Sequence, residues 1–274
     1  MHYSDWNRFT PPYPHTHDGV GFVESYSALL PLKPTPLDLH DCCNGLLLFG
    51  PSPSVRPAEY YVCNPATKQC VAIPTNPTHL EPMFAALAFN PTESLNYKIV
   101  RFAQTALSAS ISNPLKLDIF SSDTGKWVTH VVPLDPAVYG LKWIKHCVYF
   151  NGVLYMLSWA SYLIAFDINI KTGGNISGRA IELPEKGRFD YRGSIGISKD
   201  CFYYSNHDGS EWCIWSLDHG EKWNLRHKIP FQHFAVARHP VGKLLYQNRL
   251  GTRPCGFHPT SEIIFIATPK FGAF

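Results

Sequence analysis

Four residues with the right chemistry for a metal recur at even spacing: Cys201, His207, Cys213 and His219, each six apart. Thiolate and imidazole hold structural zinc, but zinc knuckles present them as Cys-x2–4-Cys or His-x3–5-His pairs on tight turns. If the segment turns symmetrically at Asp208-Gly209, Cys213 lies opposite Tyr204 and Cys201 opposite Ser216. Side chains alternate across a strand, so that register sends the two thiols to opposite faces of a sheet. No metal centre is expected here, and no cofactor elsewhere.

The other reactive groupings read in the same way. Cys42-Cys43 lacks Cys-x-x-Cys spacing, and vicinal strand residues point to opposite faces, one thiol to the core and one to a neighbouring sheet. His15, His17 and Asp18 lie in a Pro-rich segment that lacks the rigidity a catalytic site needs. His207-Asp208, His219 with Glu221, and His239 are expected in connecting loops. The sequence contains no Gly-x-Ser-x-Gly elbow, phosphate-binding loop, dinucleotide fingerprint or His-Glu-x-x-His. No enzymatic activity is expected.

The elements around these residues are short runs of β-branched and aromatic residues such as "YYVC", "YKIVRFA", "LKLDIF", "HCVYF", "CFYY" and "EIIFIA", bounded by Gly, Pro, Asn and Asp. "CVYFNGVLYML" is the clearest hairpin, with Asn151-Gly152 supplying the two positive-φ positions of a type I′ turn. No amphipathic helix stands out. A polar turn, a short strand and a Pro form a unit that recurs four times, at Asn64–Pro74, Ser121–Pro133, Asp167–Pro184 and Ser216–Pro230. Two or three strands precede each, and the spacing approaches the ~40–50 residues of a propeller blade. A lone four-stranded sheet leaves both faces bare, whereas stacked sheets cover one another. Cys70, Trp127 and Trp223 occupy matching places and are expected to fill the wedges between blades.

The 274 residues, 45% of them hydrophobic, suffice for one large domain. Charged residues make up 16% and the net charge is +3, with no Lys or Arg run to favour nucleic acid or an anionic membrane. No apolar stretch reaches the ~18 residues of a membrane span, and the start lacks a secretory core, so a soluble cytoplasmic or nuclear protein is expected. Most of the eight cysteines are expected as small core residues in a reducing compartment.

"DCCNGLLLF" followed by "YYVCNPATKQCVAIP" closely resembles the plant F-box-associated β-propeller region, found C-terminal to the F-box of a large protein family. The resemblance implies an all-β, irregular, kelch-like propeller of five or six four-stranded antiparallel blades, stopping short of full closure. Its domain is expected over residues 37–274, after a Pro-rich segment 1–36 that contributes at most a strand to the first blade. It further implies the substrate-recognition part of a Skp1, cullin and F-box ubiquitin ligase, which binds the protein to be ubiquitinated. The helical F-box, a roughly fifty-residue segment, has no counterpart in residues 1–39, so Skp1 is expected as a partner only where an F-box is joined.

Propellers bind through loops at one face, because loops vary while strands hold the scaffold. "VYGLKWIKH", "EKGRFDYRG" and "RLGTRPCGF" are the loops richest in aromatic and Arg side chains, the types that carry interface energy. Tyr139, Trp143, Arg188, Phe189, Tyr191, Arg192, Arg249 and Arg253 are the expected partner-binding residues. Two alternatives carry different signatures: converging carboxylates from several blades for a propeller hydrolase, and exposed Trp at equivalent places for a glycan-binding propeller.

Overall fold

The computed structural model describes residues 37–51, 59–76, 82–103, 114–158, 161–169, 176–184, 193–208, 210–236, 253–258, 260–261, 263–268 and 272–273. The expected N-terminal segment 1–36, with His15, His17 and Asp18, lies outside them, as does His239. Four antiparallel sheets contain four strands each. The first is β1 (Leu37–Cys43), β2 (Leu46–Pro51), β3 (Tyr60–Asn64) and β4 (Gln69–Ile73). The second is β5 (Pro82–Ala88), β6 (Lys98–Ala103), β7 (Leu115–Ser121) and β8 (Lys126–Val132). The third is β9 (Trp143–Phe150), β10 (Val153–Ser158), β11 (Tyr162–Asp167) and β12 (Gly178–Glu182). The fourth is β13 (Ser194–Ser198), β14 (Cys201–His207), β15 (Glu211–Leu217) and β16 (Trp223–Pro230), followed by a helix of one to two turns, α1 (Phe231–Val236). A fifth sheet is made of β17 (Arg253–Phe257), β18 (Ile264–Thr268) and β19 (Gly272–Ala273). Each sheet is an open meander in chain order, the blade of a propeller fold.

Local chemistry draws this pattern. Asn44-Gly45 (φ 45° and 87°) and Asn151-Gly152 (φ 48° and 83°) close the first hairpins of the first and third sheets with two positive-φ residues. Lys199-Asp200 (φ 46° and 55°) does the same in the fourth without glycine. The short strands of the recurring unit are β4, β8, β12 and β16, the outermost strands of the four sheets, and in the first, second and fourth the unit's turn leads directly into that strand. Asn64 Oδ1 accepts from the Ala66 and Thr67 amides at 3.0 and 3.4 Å, and Asp218 Oδ1 accepts from those of Gly220 and Lys222 at 2.9 and 2.8 Å. Such side-chain acceptors begin a turn because they mimic a backbone carbonyl.

The contacts divide the chain into two compact units: Met1–Gly140, Lys145–Leu154 and Phe166–Gly178; and Leu141–Ile144, Tyr155–Ala165 and Arg179–Phe274. In the first unit, Leu46, Leu48, Tyr60, Val62 and Ile73 of the first sheet pack on Ala85, Leu87, Ile99 and Phe120 of the second. Trp127, partly buried, lies against Tyr60 and Phe120, and its indole N–H donates to the Pro74 carbonyl just beyond β4 at 2.7 Å. The Arg101 guanidinium lies 5.2 Å from the Trp127 ring and pairs with Asp118 at 3.7 Å, both side chains almost wholly buried. The Thr129 hydroxyl donates to Asp118 at 2.6 Å. In the second unit, the Trp223 indole N–H donates to the Glu182 carbonyl at the end of β12 at 2.8 Å, with its ring against Phe202 and Tyr204. Two outermost strands thus use one device: a Trp ring in the seam whose N–H takes the carbonyl of the preceding outermost strand.

Cys70 departs from the expected wedge role. It forms a disulfide with Cys63, its direct partner across β3 and β4, where paired positions put both side chains on one face. Two of the cysteines expected as core thiols are therefore bonded. Cys42 is exposed rather than in the core, whereas Cys43 donates its thiol to the Phe89 carbonyl beyond β5 at 3.2 Å. The hairpin of β14 and β15 also differs from the symmetric reading. Cys213 lies opposite Asn206, two residues from Tyr204, because Asp208 Oδ1 accepts from Ser210 N, Ser210 Oγ and Glu211 N and widens the turn. A shift of two preserves facing, so Cys201 and Cys213 still point to opposite faces.

Replacing Trp127 or Trp223 by Ala is expected to destabilise the chain by about 3 kcal/mol, since a partly buried ring and its seam contacts are lost. Replacement by Phe, which keeps much of the ring but loses the donor, is expected to cost about 1 kcal/mol. Denaturant midpoints check both, and an Ala variant within about 1 kcal/mol of the parent contradicts the seam role.

Candidate protein-binding surface

Most of the expected binding residues fall between an outermost strand and the next sheet's first strand, whereas Trp143 and Arg253 are the first residues of β9 and β17. The connection from β8 to β9 is braced locally. Asp135 Oδ1 accepts from the Ala137 amide at 2.9 Å, and the Val138 and Tyr139 amides donate to the Asp135 and Pro136 carbonyls, forming a single 3-10 turn over Pro136–Val138. Leu134 forms a parallel bridge with Gly178, and the Asp135 and Gly178 amides donate to the Gly178 and Pro133 carbonyls, each at 2.9 Å. A Cβ on Gly178 would stand 2.4 Å from the Leu134 side chain and 2.8 Å from the Phe166 ring, so only glycine permits this close approach.

Tyr139 ends that braced turn half-exposed, and Gly140 follows with φ 71°. Trp143, by contrast, is 4% exposed at the start of β9, leaving its ring almost no surface to present. Arg188, Phe189, Tyr191, Arg192 and Arg249 lie outside the described residues; Arg253 opens β17, and its side chain is likewise outside them.

His207 is not a loop residue. It is the last residue of β14, 2% exposed, edge-on to Trp212 at 6.1 Å and to Phe231 at 5.4 Å. The Phe231 amide donates to the Ser210 carbonyl at 2.9 Å. This aromatic cluster anchors the start of the connection from β16 to β17, a role that spacing in the sequence does not signal. Glu221, grouped with His219 in the sequence, pairs instead with Arg179 at 2.5 Å.

A second polar grouping lies along the innermost strands of the first unit. The register of β1 and β2 shifts between Leu39 and Asp41, and the His40 ring nitrogen lies 3.1 Å from the Pro51 carbonyl. The Asp41 carboxylate then reaches the neighbouring sheet, accepting from the Leu87 amide at 2.7 Å and from the Cys42 amide at 2.8 Å. Asp41 keeps a window to solvent, yet the protein encloses it closely, and desolvation outweighs the two amide donors to raise its carboxyl to about 7. Burial, with the Asp41 charge added, also raises the Cys147 thiol, and Cys43 to about 12. These thiols are therefore protonated at neutral pH and are poor nucleophiles.

Four-stranded blades in meander order, two of them seamed by Trp, define a propeller-type protein. The family described as F-box protein At3g26010-like, beta-propeller matches residues 20–263, and the chain belongs to it. No curated protein matches. Among solved structures, the chain is similar to YjhT at 13% identity and TM-score 0.46, covering 87% of this chain and 79% of that one. A structure from a study of two prolyl endopeptidases shares 12% identity at TM-score 0.40, covering 71% of this chain and 27% of that one. The GH43 BlXynB protein from Bacillus licheniformis shares 10% identity at TM-score 0.39, covering 87% and 49%.

Asp41 carries a pH signature. Its folded value near 7 stands above the ordinary 3.8, so the folded chain holds this proton more tightly than the unfolded chain. Its contribution to stability is present below the ordinary value and is lost as pH rises toward 7, with a slope of at most about 1.4 kcal/mol per pH unit. Asp41→Asn is expected to flatten the fall in denaturant midpoint between pH 5 and 8. An unchanged slope in the variant removes Asp41 as its source.

Proposed function

We propose that this chain is a non-catalytic, target-binding propeller that serves as the substrate-recognition part of a Skp1, cullin and F-box ubiquitin ligase in the cytoplasm or nucleus. The observation that carries the reading is membership of an F-box protein propeller family over residues 20–263. The fold supports it in kind, because a sheet scaffold frees its connecting loops to vary for recognition. Among the described residues, no helix is long and apolar enough to cross a membrane.

Within this reading the target lies on the connections that follow outermost strands. Tyr139, Arg188, Phe189, Tyr191, Arg192, Arg249 and Arg253 contact it, and Trp143 supports the loop beside them from within. Tyr and Arg are suited to the task, since each combines a large contact area with polar donors. Skp1 binds only through a joined F-box.

Two measurements test this. In a pull-down from plant extract, Skp1 is expected to return with a bait extended by an F-box and not with the 274-residue chain, while a common set of targets returns with both. Skp1 bound to the unextended chain contradicts the proposal. The double variant Arg188→Ala, Arg192→Ala is expected to melt as the parent does and to capture those targets about tenfold less well. Unaltered capture removes the two arginines from the site.

A further inference from the structure

The outermost strand of the first sheet is held differently from its counterparts. At the position where β8 carries Trp127 and β16 carries Trp223, β4 carries Cys70, bonded to Cys63 on β3. Among the described residues, Cys42, Cys43, Cys147 and Cys201 carry no disulfide, so the bridge stands apart from any disulfide framework there. The bridge closes a short loop over a turn that Asn64 already caps. It is therefore additional to a hairpin whose backbone bonding is complete without it.

The two sulfurs sit in unlike surroundings. Cys63 is 0% exposed and packed with Phe49 and Tyr61, whereas Cys70 is half-buried at the border of that cluster. The strand behind Cys70 has a further duty. Ile73 plugs the core between the first two sheets, and the next residue, Pro74, supplies the carbonyl that receives the Trp127 indole. Whatever loosens β4 acts on that seam.

We propose that Cys63–Cys70 is a thiol–disulfide exchange site, open to a small dithiol at Cys70, through which the redox state sets how firmly β4 and the Pro74–Trp127 seam are held. A thiolate of the reductant attacks Cys70 Sγ and the S–S bond breaks. The electron pair leaves on Cys63 sulfur, which takes up a proton because an apolar setting favours the thiol. The second thiol of the reductant then attacks the mixed disulfide, releasing Cys70 as its thiol. The chain gains two electrons and two protons, and the dithiol becomes its own disulfide.

The test uses the whole chain, held in oxidised glutathione or in dithiothreitol, then alkylated without unfolding and again after unfolding. Peptide mass spectrometry identifies Cys63 and Cys70, and the same samples are melted. The expected result is that both cysteines resist alkylation in the oxidised chain, even unfolded, and that dithiothreitol converts them together. The parent's melting midpoint is expected to fall by about 5 °C on reduction. Cys70→Ser is expected to show the lower midpoint in both conditions and no response to dithiothreitol. The proposal is overturned if the oxidised, unfolded chain is alkylated at both cysteines. It is also overturned if the parent melts alike after reduction verified by mass, or if Cys70→Ser shifts as the parent does.

Discussion

A four-stranded antiparallel sheet with two apolar faces cannot stand in water alone, and the packing described for this chain follows from how one such face meets the next. The seam is made at the outermost strand, where an aromatic ring fills the space between diverging sheets and its one polar atom needs a partner. Trp127 and Trp223 find that partner in a carbonyl that ends the preceding outermost strand, at Pro74 and at Glu182. The carbonyl is available because a strand at the edge of a sheet has no neighbour to take it. One hydrogen bond of about 1 kcal/mol is small beside the ring burial. It nevertheless fixes where along the strand the ring sits, and so sets the offset of one sheet against the next.

Interior polar groups reinforce the seam of the first two sheets. Arg101 is stacked near Tyr60 and Trp127 and paired with Asp118, which Thr129 also satisfies. A buried ion pair adds little net stability over an apolar pair, but losing one partner costs about 3 to 5 kcal/mol. The arrangement penalises any packing that parts Arg101 from Asp118. At the inner edge of the same seam, Asp41 spans to the Leu87 amide and occupies a donor that the strand ladder leaves open. The two sheets are held at both edges, and the connections that leave them start from fixed points. The turn carrying Tyr139 shows the consequence, pinned by Leu134 and Gly178 rather than by any partner.

Much of this was legible in the sequence because it is local. Asn151-Gly152 specifies its turn without help from the rest of the chain, and at Asn64 and Asp218 an early side chain caps the turn that leads into an outermost strand. Trp127 and Trp223 could be assigned to seams from their repeated position. What depends on register was not legible. Asp208 widens its turn through three hydrogen bonds and moves Cys213 from Tyr204 to Asn206, and the pairing of Cys63 with Cys70 likewise requires knowing which residues stand opposite. Burial set by other elements was also hidden. Trp143 looks like an available aromatic group until the surrounding protein encloses it, and His207 looks like a loop residue until Phe231 folds over it.

The stacking of these sheets depends on the two indole N–H groups being held in their seams by backbone carbonyls. Hydrogen exchange of the tryptophan indoles, followed by nuclear magnetic resonance on chain labelled at tryptophan nitrogen, measures this directly. Signals assigned to Trp127 and Trp223 are predicted to exchange orders of magnitude more slowly than a free indole and to lose that protection together with the strand amides of their sheets. Exchange of either indole at the rate of free tryptophan, while those strand amides remain protected, would show that the sheets stack without the indole-to-carbonyl bond.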